Sequence, residues 1–143
     1  MPPATGTCLH AEVVPLGRVL PMSCAVVAAH LEAFLGAPTR TAPAQALPSS
    51  ALLAHRQQYN AAALLDALGP PPPPDLMLVG VTARDLCLPF LTHVFGEAYV
   101  GGRRAVVSTA RLGKGPQSPR ALERLAKVAL HEAAHALGLN HCP

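Results

Sequence analysis

Apolar and polar positions along the chain follow two rhythms, and the order in which they alternate predicts the fold class. Leu9 to Leu16, LHAEVVPL, reads as a first strand closed by the turn residues Pro15 and Gly17. Met22 to Leu35 then places Val26, Val27, Ala29, Leu31, Phe34 and Leu35 near a helical period, with Ser23 as the expected N-cap and Gly36 as the stop. Thr39 to Ala46 fits a short strand, and Pro43 places it at a sheet edge. Ser49 to Leu68, rich in Ala and Leu and followed by Gly69, predicts a second helix. Five prolines, Pro70 to Pro74, form a stiff connector, with a polyproline recognition segment as the lesser alternative. Asp75 to Thr82 is uncharged after its first residue and bounded by turn signals, as a strand buried on both faces would be. Leu91 to Val100 and Arg104 to Leu112 predict two further strands joined by a hairpin turn at Gly101-Gly102. Ser118-Pro119 then opens a long helix whose apolar stripe is Leu122, Leu125, Ala126, Ala129 and Leu130, and Gly138 ends it. The order β-α-β-α-β-β-β-α predicts an α/β fold, a mixed sheet with helices packed against it.

Composition narrows the function classes. The 143 residues fit one domain over residues 1–143, and half of them are hydrophobic against 13% charged, which excludes a disordered chain. A net charge of +3 without basic runs, and with five aromatics, lacks the clustered basic face and stacking platform of nucleic-acid binding. Leu20 to Leu35 is too short for a bilayer and is interrupted by His30 and Glu32, so no membrane role is expected. The start, MPPATGTCLH, has neither the basic nor the apolar part of a secretory signal. The four cysteines are scattered without a CxxC pair, and reduced thiols in a cytoplasmic protein are the expectation.

The chemistry is concentrated at His131–Pro143, HEAAHALGLNHCP. His131 and His135, four apart, stack on one helix face and can hold one metal ion. Glu132 is turned about 100° from His131, within reach of a water on that metal without being a ligand. Gly138 supplies the positive φ of a sharp helix exit, an active-site turn that brings His141 back towards the pair. Three neutral imidazoles with a fourth position open describe a catalytic zinc site. Zinc would polarise a scissile carbonyl and activate its bound water, and Glu132 would act as general base and return the proton to the leaving amine. HExxH alone, expected by chance in about 2% of chains this size, carries a real false-positive risk; the glycine and third histidine at fixed offsets make chance a poor explanation. His10, His30, His55 and His93 are expected to be surface or hydrogen-bonded histidines, and Cys8, Cys24 and Cys87 small buried apolar residues.

HEAAHALGLNH matches HExxHxxGxxH, the zinc signature of the metzincins, and the cysteine of His141-Cys142 narrows the resemblance to the archaemetzincins. Arg56-Gln57-Gln58-Tyr59-Asn60-Ala61 resembles that family's Arg-x-Gln-Tyr-x-Ala stretch. Val94-Phe95-Gly96-Glu97-Ala98 resembles its edge strand, and Val106-Val107-Ser108 with Arg111-Leu112 the strand after it. The resemblance implies a metzincin-like upper subdomain, a twisted mixed sheet with an antiparallel edge strand, backing helices and a C-terminal zinc-binding helix. It also implies a peptide or protein substrate paired to the edge at Phe95, Gly96, Glu97 and Ala98, the alternative being an ordinary sheet edge. Family members carry further cysteines that build a second, structural zinc site, and a methionine turn beneath the catalytic zinc. Cys142 has no cysteine after it and Met1, Met22 and Met77 all precede the signature, so one catalytic Zn2+, no second zinc, and a minimal or absent lower subdomain are expected. A zinc metallopeptidase is the leading expectation. The alternative is a catalytically silent zinc- or peptide-binding protein that keeps the fold.

Overall fold

A computed structural model of the protein describes residues 8–115 and 117–139. In chain order the elements are β1 (His10–Leu16), α1 (Pro21–Leu35), β2 (Thr39–Thr41), β3 (Leu52–Leu53), β4 (Gln58–Asn60), α2 (Ala61–Ala67), β5 (Leu76–Thr82), β6 (Leu86–Cys87), β7 (Gly96–Tyr99), β8 (Arg104–Ser108) and α3 (Pro119–Ala136). The main sheet runs β2-β1-β5-β8-β7. Its first four strands are parallel neighbours, and β7 closes the series antiparallel to β8. Side chains alternate between the two faces with a period of two. Ala11, Val13, Met77, Val79, Val81, Ala105 and Val107 pack on one face under α1 and α3, against Val27, Leu31, Leu125 and Ala129. Val14, Leu16 and Val106 face the other way, onto α2 and the small sheet β3-β4-β6, against Tyr59, Leu64, Leu65 and Leu86. The fold is thus the mixed α/β sheet with packed helices that the residue pattern predicts. No described helix is long and apolar enough to cross a membrane.

Local departures have local causes. Leu20, not Ser23, is the N-cap of α1: Pro21 takes the first helical position, where its missing N–H costs nothing, and Ser23 lies buried in the first turn. The predicted strand Thr39–Ala46 is regular only over Thr39–Thr41, at the sheet edge as expected, with a single further bridge from Gln45 to Leu16. The largest correction concerns Ser49–Leu68. Only Ala61–Ala67 is α-helix; two 3-10 turns, Ser49–Ala51 and Ala54–Arg56, and the strands β3 and β4 occupy the rest. Gln57 takes a left-handed φ of 53° and breaks the helical path. Asn60 restarts it as N-cap, its Oδ1 accepting from the N–H groups of Ala62 and Ala63. Tyr59 pairs with Leu86, a partner outside any local window, and that pairing overrides the helical preference of the alanines and leucines.

Asp85 ties this second layer to the sheet. Its carboxylate accepts two bonds from Arg111, from Nε to Oδ1 and from Nη2 to Oδ2, each 2.9 Å, and one from Gln58 Nε2, also 2.9 Å. Burial pushes the carboxyl up, but the hydrogen bonds from Arg111 and Gln58, with the charges of Arg111 and His93, outweigh it and hold the pKa below the usual value. The stabilisation is complete above the unfolded pKa of about 3.9 and is lost as pH falls through the lowered folded value. Asp85→Asn is therefore expected to cost about 1–2 kcal/mol at pH 7. At strongly acidic pH, below that lowered folded value, the variant should converge on the parent. Denaturant unfolding at the two pH values checks this, and an equal deficit at both would rule out the ionised carboxylate as its source.

Candidate active site

The site is built by the way α3 starts, packs and ends. Ser118 Oγ accepts from the Ala121 N–H at 3.1 Å, and Pro119 follows at the first helical position, as the sequence predicts. Of the predicted stripe, Leu125, Ala126 and Ala129 are buried, and the face runs on through small residues. Ala121, Leu125, Ala129, Ala133 and Ala136 go into the core, while Leu122 and Leu130 are only half-buried. A face of alanines lets the helix lie close to the sheet, which leaves His131, Glu132 and His135 along its margin beside β7.

The helix end is a Schellman motif. Gly138 has φ +109°, its N–H reaches the His135 carbonyl at 2.9 Å, and the Leu139 N–H reaches the Ala134 carbonyl at 3.0 Å. This reversal carries the Leu139 carbonyl back to His135 Nδ1, which donates to it. The β7–β8 turn completes the cap: Gly101 N–H donates to the His135 carbonyl at 2.9 Å and Arg103 N–H to the Ala136 carbonyl at 2.8 Å. Gly101-Gly102, legible in the sequence only as a hairpin turn, thereby locks the edge hairpin to the end of the histidine helix.

With Nδ1 of His135 spent as a donor, its Nε2 presents a lone pair. That Nε2 stands 3.1 Å from His131 Nε2, and the two rings meet edge to face, centroids 4.5 Å apart. Two imidazole nitrogens at zinc distances of about 2.0–2.1 Å in a tetrahedral arrangement stand about 3.3 Å apart, so the pair fits the ion. The metal-binding atoms of His131, Glu132 and His135 lie within 4.8 Å of one another. Glu132 is half-buried; burial first, and the Glu97 charge second, push its carboxyl up to about 7, with His135 pulling partly the other way. His141 and Cys142 lie outside the described residues.

An open cleft of about 530 Å³ lies between α3 and the start of β7, walled by His93, Phe95, Gly96, Val128, His131 and Glu132. Among the described residues β7 ends the sheet and its outer edge has no strand partner. Gly96 is needed there, because a Cβ would stand 2.8 Å from Glu132 Cγ and 2.8 Å from the Val106 carbonyl oxygen. Ala98 packs against the core, and Glu97 acts on Glu132 through its charge. The predicted strands 91–100 and 104–112 are regular only over Gly96–Tyr99 and Arg104–Ser108. Segment 91–95 is irregular, and Phe95, 44% exposed, stands just ahead of the strand. His93 is therefore not a strand histidine. It lines the cleft and packs edge-on against Phe95 at 5.4 Å, a role signalled only by its place immediately before the edge-strand resemblance. His10 and His55 are exposed, and His30 Nδ1 bonds to the Val26 carbonyl. Cys24 and Cys87 are buried as expected, whereas Cys8 is exposed. A larger cavity, about 730 Å³, lies by Leu20, Pro21, Cys24 and Thr109, and among the described residues no His, Asp or Glu lines it.

No protein-family model matches the chain. Curated relatives do. It is 41% identical over 114 residues to an archaemetzincin of Methanopyrus kandleri, spanning 80% of this chain and 65% of that one. It is 38% identical over 117 residues to an archaemetzincin of Archaeoglobus fulgidus, spanning 82% of this chain and 70% of the relative. Crystal structures of archaemetzincins from the same two organisms superpose with TM-scores of 0.80 and 0.81, covering 96% and 92% of this chain and 78% and 80% of theirs, at 37% and 34% identity. The A. fulgidus structure is complexed with malonate. A zinc-dependent peptidase from Methanocorpusculum labreanum follows at TM-score 0.78 and 26% identity, covering 92% of this chain and 83% of its own. The likeness extends through sheet, edge strand and histidine helix alike, and by sequence as well as by fold the chain belongs to the archaemetzincin family.

Proposed function

We propose that this chain is a zinc-dependent peptidase in which His131, His135 and His141 hold one Zn2+ and Glu132 is the general base. The observation that carries this reading is the pair of Nε2 atoms 3.1 Å apart, one of them oriented by the Leu139 carbonyl, with the Glu132 carboxyl alongside in the cleft. When bound, the zinc supplies the Lewis acidity that polarises a peptide carbonyl and makes water a nucleophile at neutral pH. The chain's own residues do the rest. The hydrogen bond from His135 Nδ1 to the Leu139 carbonyl keeps a proton on Nδ1, aims Nε2 at the metal position and fixes the ring plane. Glu132, its carboxyl pushed up to about 7, can take a proton from water and deliver it to the departing amine. A substrate strand pairs with the outer edge of β7 along Phe95, Gly96, Glu97 and Ala98, in line with that edge having no strand partner among the described residues. Gly96 leaves room for the Glu132 side chain beneath that strand. A peptide or protein substrate and a cytoplasmic setting belong to the same reading.

The test is direct. Zinc titration followed by elemental analysis is expected to give one ion per chain. Hydrolysis of a mixed peptide library should vanish on removing zinc with a chelator and return on adding it back. A folded chain that takes up no zinc would sink the reading; zinc uptake with no cleavage of any peptide would favour the silent binding protein.

A further inference from the structure

The stretch Arg56 to Ala61 has no part in the chemistry above, yet two of its side chains are committed to one place. Arg56 Nη2 donates to the Leu91 carbonyl at 2.6 Å and to the Thr92 carbonyl at 3.2 Å. Gln58, 5% exposed, donates from Nε2 to the Thr92 carbonyl at 2.7 Å and to Asp85 Oδ2 at 2.9 Å. Asp85 is in turn gripped by Arg111 Nε and Nη2. A polar chain thus runs from the small sheet to two successive carbonyls of segment 91–95. Apart from a turn bond from the Leu91 N–H to the Leu88 carbonyl at 3.0 Å, apolar burial does not fix its tip: Phe90 is 93% exposed and Leu91 48% exposed. Beyond the clamp, the Val94 N–H bonds to the Leu86 carbonyl and the Phe95 carbonyl accepts from the Ser108 N–H, each at 2.9 Å. The residues set in place by these anchors are His93 and Phe95, which share the cleft wall with His131 and Glu132.

We propose that Arg56 and Gln58 are positioning residues of the cleft: by holding the Leu91 and Thr92 carbonyls they fix segment 91–95, so that His93 and Phe95 form a substrate-contacting wall beside the histidine pair. Burying an amide and tying down a guanidinium is costly unless each is paired, and the partners here are the carbonyls of a surface loop, not of the core. Loosening such a wall leaves the metal and the base where they are and weakens the hold on substrate. The proposal rests on the peptidase reading for its kinetic consequence, not for its structural one.

The experiment uses the full chain loaded with zinc, with Arg56→Ala, Gln58→Glu and the milder Arg56→Lys, which keeps the charge but replaces the planar guanidinium with a compact ammonium. Each is expected to retain one zinc per chain and to lower kcat/KM about 10- to 100-fold, chiefly through a higher KM. Backbone amide exchange should quicken in residues 90–96 and stay unchanged in α3. In a His93→Ala background the Arg56→Ala effect on KM should shrink, because the wall it positions is already incomplete. Unaltered exchange in residues 90–96, a fall in kcat with KM unchanged, or full additivity with His93→Ala would each overturn the proposal. If the parent chain cleaves no peptide, the peptidase reading fails, and the exchange measurement still decides whether Arg56 and Gln58 hold the segment.

Discussion

Glutamine in place of Glu132 is expected to lower kcat by about 10²–10⁴-fold while zinc stays at one per chain. The amide has the carboxylate's shape but cannot take a proton from water, so the substitution separates the base from the metal site. Glu132 is not itself one of the proposed histidine ligands. The fold should not suffer. The wild-type carboxyl is half-buried and stands near Glu97, and both facts already penalise its charge. A neutral amide relieves that penalty, and the melting temperature is expected to hold or rise. Kinetics on one peptide substrate, elemental analysis and a thermal melt on the same preparation separate the possibilities. Turnover within tenfold of the parent would remove Glu132 from the chemistry. Loss of zinc together with turnover would make it part of the metal's coordination instead.

The parts of this site that the sequence discloses are those specified within one helix. His131, Glu132 and His135 are adjacent because of helical spacing alone, and Ser118, Pro119 and Gly138 mark the helix ends by local backbone chemistry. β5 was legible for a similar reason: a strand covered on both faces needs an unbroken apolar run, and Leu76–Thr82 is one. What stayed hidden depends on partners far along the chain. Ser49–Leu68 looks helical by composition, but Gln58 and Tyr59 are claimed by Asp85, Thr92 and Leu86, about thirty residues away, and the helix is confined to what Asn60 can cap. His93 looked like an ordinary strand residue because alternation is a property of neighbours. Its place in the cleft comes from irregular backbone held by Arg56 and Gln58. The capping of α3 by Gly101 and Arg103 is equally invisible, since it joins a turn to a helix more than thirty residues later.

Gly96 is the position where this long-range packing should show most sharply in function. It does not carry a positive φ, so an alanine there meets no conformational penalty and its effect is one of space alone. The added Cβ would lie 2.8 Å from Glu132 Cγ, 2.8 Å from the Val106 carbonyl oxygen and 3.2 Å from Val107 Cγ1. Val106 belongs to β8, paired on both sides within the sheet, so its carbonyl has no freedom to retreat. Either β7 moves away from α3 or Glu132 swings out of the cleft, and both spoil the alignment of base and substrate strand. Gly96→Ala is expected to cost about 1–3 kcal/mol of stability. It should also lower kcat/KM by about 10²-fold, the scale of a displacement near 1 Å. Zinc content should be unchanged, because the cap that holds His135 lies at the other end of the hairpin. Gly80→Ala is the matched control. Its Cβ would stand 2.9 Å from Leu16 Cδ1, the end of a side chain and not backbone, on the sheet face away from α3. It should lose stability by a similar mechanism and keep its activity at temperatures where the chain is folded. Equal loss of kcat/KM in the two variants, compared at equal stability, would mean that Gly96 serves the fold and not the cleft. A selective loss in Gly96→Ala would place the close approach of β7 to Glu132 within the catalytic geometry itself.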